Sequence, residues 1–97
     1  AVINPFSNIG PSCIINTSAT VDHDCVLAEG VHISPGANLA GGVQVGVGSW
    51  VGIGASVKQL INIGNYAVIA AGAAVTRDVL DEQIVVGVPA RPLIIKD

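Results

Sequence analysis

An aliphatic residue recurs at every sixth position along most of the chain: Ile3, Ile9, Ile15, Val21, Leu27, Ile33, Leu39, Val45, Val51, Val57, Ile63, Ile69 and Val75. Four residues after each of these stands Ser7, Cys13, Ala19, Cys25, Val31, Ala37, Val43, Ser49, Ala55, Ile61, Ala67, Ala73 or Val79, and only Ile61 is large. The residue directly after each aliphatic is Gly, Ala, Ser, Thr, Asn or Asp, with Lys58 the one bulky exception. A period of six is neither helical nor a simple strand alternation, so each hexad predicts a short flat segment followed by a corner. Three such sides close a triangular coil of eighteen residues, and stacked coils hydrogen-bond at the strand spacing of about 4.8 Å. The large aliphatic fills the prism axis. The residue four places on also points inward, beside a corner where a small side chain fits, so Cys13 and Cys25 read as small core residues rather than nucleophiles or redox centres.

After Val79 the period stops at Leu80-Asp81-Glu82-Gln83. The expected organisation is therefore an all-β, parallel β-helix of about four triangular coils over residues 1–80, with a short closing segment over 81–97.

Composition agrees with a core of this kind. Hydrophobic residues make up 51% of the chain but aromatic residues only 3%, so Val, Ile, Leu and Ala must fill the interior. A single domain of 97 residues is marginal by itself, and association with further copies would supply the missing stability. Between Gly30 and Val57 there is no Asp, Glu, Lys or Arg, and the outward positions there include Pro35, Val47, Trp50 and Ile53. An uncharged, partly apolar outer face predicts an interface between subunits.

Charge excludes one class of function. The net charge is −3, and Lys58, Arg77, Arg91 and Lys96 are too scattered to follow a phosphate backbone, so no nucleic-acid partner is expected. Glycines, asparagines and serines interrupt every apolar stretch before it reaches the length of a membrane helix, and no membrane association is expected. Without a signal-peptide pattern or a metal-ligand spacing of cysteines, the chain reads as cytoplasmic with two reduced thiols.

The titratable groups concentrate in Asn16-Thr17-Ser18-Ala19-Thr20-Val21-Asp22-His23-Asp24-Cys25. His23, two places after Val21, points outward in the hexad frame, and Asp22 and Asp24 flank it. A neighbouring carboxylate holds one imidazole tautomer and favours proton uptake at the other nitrogen, as a general base requires. Gly41 lies eighteen residues later and so stands directly above His23. Its backbone N–H is a natural donor to an oxyanion, and the same glycine is also what a corner alone would select.

The hexad pattern, together with the closing Val86-Gly87-Val88-Pro89-Ala90, resembles the left-handed β-helix of the bacterial hexapeptide-repeat acyltransferases. The left hand is implied by that resemblance, against the general preference of parallel crossovers for the right. The stretch from Ile15 to Cys25, continued by Val31-His32-Ile33-Ser34-Pro35-Gly36-Ala37 and Leu39-Ala40-Gly41-Gly42-Val43, is similar to the active-site hexads of acetyltransferases that modify sialic acid or nucleotide-linked amino sugars.

The resemblance implies a trimer with active sites between subunits, acetyl-CoA as co-substrate and no metal. By the same likeness His23 accepts the proton and Asp24 supports its basicity. His32, Gly41, Ile53, Ala71, Val88 and Pro89 would contact the acetyl donor. Ala71 departs from the glycine common in relatives, though a backbone contact survives a methyl group. The implied reaction is direct transfer to a sugar amine or hydroxyl, with no acyl-enzyme. Relatives often carry a preceding sugar-nucleotide domain, and none is expected within these 97 residues.

Two other classes fit a prism less well. A β-helical carbonic anhydrase needs three zinc-binding histidines, and the sequence holds only His23 and His32. A non-catalytic scaffold or ice-binding solenoid needs a ladder of identical outward residues, and Thr17, Thr20 and Thr76 form none. His32 could also serve at an interface rather than at the cofactor.

Overall fold

The computed structural model describes residues 1–93. The last four residues of the expected closing segment, 94–97, lie outside the described residues. Among the described residues there are only strands and turns. The chain winds as a left-handed parallel β-helix, in which each hexad gives a two-residue strand followed by a two-residue turn.

The strands stack into three walls. The first holds Val2–Ile3, Thr20–Val21, Asn38–Leu39, Ser56–Val57 and Ala74–Val75. The second holds Asn8–Ile9, Val26–Leu27, Gln44–Val45 and Asn62–Ile63. The third holds Ile14–Ile15, His32–Ile33, Trp50–Val51, Val68–Ile69, Ile84–Val86 and Arg91–Pro92. Within the regular coils the partners are eighteen residues apart, as in Val21↔Leu39 and Leu39↔Val57.

The interior follows the two inward positions of the hexad. Val21, Leu27, Ile33, Leu39, Val51 and Ile69 line the axis and are almost fully buried, as are Ala19, Cys25, Ala37, Ala55 and Ala67 in the small slot. Each axial Val, Leu or Ile contributes about 1.5–3 kcal/mol by leaving water. Corner tips adopt left-handed backbone. Several are glycines, but Phe6, Ser12, Ser18, Asp24, Leu60 and Tyr66 hold this conformation without being glycine.

The end of the prism differs from the expectation in one respect. Val79, expected in the small slot four places after Val75, instead bridges Ile63, sixteen residues away. Ile69↔Val85 keeps the same shortened spacing, and both Val79 and Val85 are buried in the axial core. A coil two residues shorter thus carries the winding beyond the four regular coils into a fifth. Asp78 supports the shortening by accepting the Asn62 N–H at 2.8 Å with its carboxylate.

Among the described residues, no helix is long and apolar enough to cross a membrane.

Candidate functional site

His23 and Asp24 form the turn that leads from the first wall to the second. Asp24 sits at φ 59°, a left-handed conformation that aspartate tolerates better than most residues. That backbone folds its carboxylate back onto the preceding ring, and His23 Nδ1 lies 3.1 Å from Asp24 Oδ2. Both side chains are more than half exposed, at 61% and 63%, so solvent and a ligand can reach them. The contact selects the tautomer with the proton on Nδ1 and leaves Nε2 as an acceptor.

Asp22 holds the same turn from the other side. Its Oδ1 accepts the His23 backbone N–H at 2.7 Å and the Asn4 side-chain amide at 3.1 Å. These two bonds, the His23 amide first, hold the Asp22 carboxyl below its ordinary pKa. Sequence reading passed over Asn4, although its spacing of eighteen from Asp22 was a usable signal.

Gly41 lies one coil above, on the same edge. A Cβ at position 41 would stand 2.6 Å from His23 Cε1 and 2.7 Å from Nε2, so the ring occupies the space left by the missing side chain. The Gly41 carbonyl accepts the Leu60 N–H at 2.9 Å, and Gly42 donates to the His23 carbonyl at 2.9 Å. Among the described residues nothing accepts the Gly41 N–H. A free backbone donor therefore adjoins a free imidazole nitrogen.

A groove of about 510 Å3 opens on the first wall beside this corner. Asp22 and Ala40, the neighbours of His23 and Gly41, line it with Asn4, Thr20, Asn38 and Ser56. A larger cavity of about 730 Å3 lies at the end of the prism, lined by residues that include Val75, Arg77, Gln83, Pro89 and Arg91. Of the expected site residues, only Pro89 borders it.

The remaining candidates sit on a different edge, between the third wall and the first. Ile53 and Ala71 stack there, with the Gly72 N–H donating to the Ile53 carbonyl at 2.8 Å. The parallel register of the third wall ends at Ile69↔Val85, and the turn 87–90 follows Val86. The closing segment is fastened to the first wall: Ala74 donates to the Gly87 carbonyl at 3.0 Å, and Ala90 donates to the Ala74 carbonyl at 2.8 Å. His32 stands on the third wall and stacks on Trp50, ring centroids 4.2 Å apart and 17° from parallel. One chain therefore brings His23, Asp24 and Gly41 together and stacks Ile53 and Ala71 on another edge, while Val88 and Pro89 lie in the closing turn, with Pro89 at the end cavity.

The outward column of the third wall is Ile14, His32, Trp50, Val68 and Ile84, all aliphatic or aromatic. Trp50 is 52% exposed and Ile53, on the adjoining edge, 62%. The outward columns of the other walls are mainly polar, with Thr20, Asn38 and Ser56 on the first and Asn8, Gln44 and Asn62 on the second.

No family model matches the chain. Solved structures do. A GDP-perosamine N-acetyl transferase from Caulobacter crescentus, crystallised with CoA and GDP-perosamine, is 43% identical with a TM-score of 0.96, over 97% of this chain and 45% of its own. In sequence and fold the chain is similar to hexapeptide-repeat acetyltransferases. The acetyltransferase domain of PglB from Neisseria gonorrhoeae, in complex with acetyl coenzyme A, is 37% identical with a TM-score of 0.86, over 95% of this chain and 54% of that one. The serine acetyltransferase of Neisseria gonorrhoeae is 31% identical with a TM-score of 0.90, over 99% and 43%. This hexapeptide-repeat chain thus spans about half the length of the solved relatives it matches.

Proposed function

We propose that this protein transfers an acetyl group from acetyl-CoA to the amino group of a nucleotide-linked sugar, with His23 as the general base. The observation that carries the reading is the juxtaposition of His23 Nε2 with Gly41, whose N–H is without a partner among the described residues. A scaffold has no use for that pairing. Direct transfer needs a proton acceptor and a donor to the developing oxyanion within one acetyl group's reach.

In this mechanism Asp24 holds the imidazole by Nδ1, and His23 Nε2 takes the proton of the acceptor amine as the amine nitrogen attacks the thioester carbonyl; the C–S bond then breaks and CoA leaves as the thiol with that proton. The Gly41 N–H donates to the thioester oxygen as charge develops there, an interaction that lowers a barrier by roughly 3 kcal/mol. Acetyl-CoA supplies the activated acyl group. The exposed backbone along Ile53 and Ala71, with His32 on the adjoining wall and the closing turn of Val88 and Pro89 beyond, offers the extended edge that such a donor would follow. Likeness to an enzyme crystallised with GDP-perosamine favours an amine on a nucleotide sugar over a sialic acid hydroxyl. The groove of Asn4, Thr20, Asp22, Asn38 and Ser56 offers hydrogen-bonding groups for the sugar.

Because the base and the cofactor edge lie on different edges of one prism, a complete site takes the His23 edge from one chain and the Ile53 edge from the next. Head-to-tail contacts of this kind close into a ring, and the apolar third wall supports a homotrimer.

The test measures acetyl transfer by the full-length protein with GDP-perosamine and with sialic acid as acceptors. His23→Ala should lower turnover by about 10²- to 10⁴-fold while acetyl-CoA binding persists. Asp24→Asn should lose less, since the amide oxygen can still accept from Nδ1. Full turnover in His23→Ala at saturating acceptor would overturn the assignment.

A further inference from the structure

Corners above an alanine and corners above a serine or cysteine in the small slot are closed in two different ways. On the edge of Ile53 and Ala71, each turn closes through a direct backbone bond. Ala19 donates to the Asn16 carbonyl at 3.1 Å, Ala37 to Ser34 at 3.1 Å, Ala55 to Gly52 at 3.1 Å and Ala73 to Ala70 at 3.2 Å. Below each of the last three turns the small slot holds alanine, which leaves the corner to itself.

On the His23 edge a side chain from the coil below takes the place of that bond. The Ser7 hydroxyl donates to the Asp22 carbonyl at 2.7 Å and accepts the Cys25 N–H at 3.1 Å, bridging the whole His23–Asp24 turn. One coil higher, the Cys25 Sγ donates to the Ala40 carbonyl at 3.2 Å. Ser49 repeats the arrangement on the remaining edge, donating to Gly64 at 2.6 Å and accepting from Ala67 at 3.0 Å. A hydroxyl or thiol in the slot therefore opens the next corner and fills it.

The Ala40 carbonyl and the Gly41 N–H are opposite ends of one planar peptide, and in a trans peptide they point in opposite directions. A buried thiol that holds the carbonyl from the core side fixes that plane and turns the N–H away from the core. We propose that Cys25 is a positioning residue of the transfer site, orienting the Ala40–Gly41 peptide so that the Gly41 N–H meets the thioester oxygen.

This rests on the reading of Gly41 as the oxyanion donor. Cys25 is fully buried and touches no substrate. Burial also pushes its thiol pKa up, which keeps the S–H present as a donor.

Three variants of the full-length protein test the assignment. Cys25→Ala should let the corner close through a Val43 N–H to Ala40 bond, as the alanine corners do, and rotate the Gly41 N–H. Turnover with GDP-perosamine should fall by about 10²-fold, the scale of a misplaced reacting group, with KM for acetyl-CoA unchanged. Cys25→Ser, which restores a donor like Ser7 and Ser49, should restore turnover. Cys25→Val keeps the bulk without the donor and should behave like Cys25→Ala. A readout independent of acceptor is the Gly41 amide resonance: acetyl-CoA should shift it in the parent and in Cys25→Ser, but not in Cys25→Ala. Unchanged turnover and an unchanged Gly41 shift in Cys25→Ala would overturn the proposal, as would failure of Cys25→Ser to rescue. If His23→Ala stays active, the fault lies instead in the catalytic reading on which the proposal rests.

Discussion

The imidazole of His23 occupies the space that a side chain on Gly41 would fill, so the candidate base and the candidate oxyanion donor are coupled by shape. Position 41 is outside the left-handed backbone region, so an alanine there adds no conformational strain. The ring can swing away from the added methyl. Gly41→Ala should therefore keep its fold and melting temperature while turnover falls by about 10²-fold, a loss that follows from misplacing a reacting group. Thermal melting and kcat measured on the same preparation check this. An unchanged kcat would show that the ring is not used where it now lies.

Asp22 gives the corner an acid limit. Its folded pKa is depressed by the His23 amide and by Asn4, so its contribution is fully present above the ordinary carboxylate value of 3.8 and is lost as pH falls through the depressed folded value. Titration of the Asp22 carboxyl by NMR should give a midpoint below 3.8. Asn4→Ala, which removes one of the two donors, should move that midpoint upward. A midpoint indifferent to Asn4 would show that the cross-coil bond is absent in solution.

Trp50 reports on assembly. It sits in the middle of the apolar outward column of the third wall, between Val47 and Ile53 on the flanking corners. Trp50→Asp places a charge where the proposed trimer would bury apolar surface, which is strongly unfavourable without a partner. Light scattering should show the parent as a trimer at micromolar concentration and the variant with reduced mass. Unchanged mass and melting temperature together would place the interface on another wall.

Ala71 reports on the acetyl donor. It stacks on Ile53 on an exposed edge, so a large side chain fits there without entering the core. Ala71→Trp should leave the fold intact and weaken acetyl-CoA binding, measured by calorimetry. Affinity equal to that of the parent would move the donor off this edge.

The hexad repeat decided the architecture before any coordinates. A residue at every sixth position can be buried in one continuous column only if three sides make a coil, which is why Val21, Leu39 and Val57 lie in register. The same arithmetic stacked Gly41 on His23 and made Asn4 the neighbour of Asp22, for the spacing is a property of the sequence. The tip of the site was legible too, since the two carboxylates that flank His23 are adjacent to it in the chain.

Tertiary structure decided what depends on where the period ends and on how corners close. Only the fold shows that Val79 leaves the small slot to bridge Ile63, because a coil two residues short must still fill the axis. The largest gap concerns Ser7 and Cys25. By sequence they are small residues interchangeable with Ala19 or Ala37, but their hydroxyl and thiol hydrogens reach carbonyls fifteen residues on, in the next coil. Size is written in the hexad; the direction of a hydrogen bond is set only when coil lies upon coil.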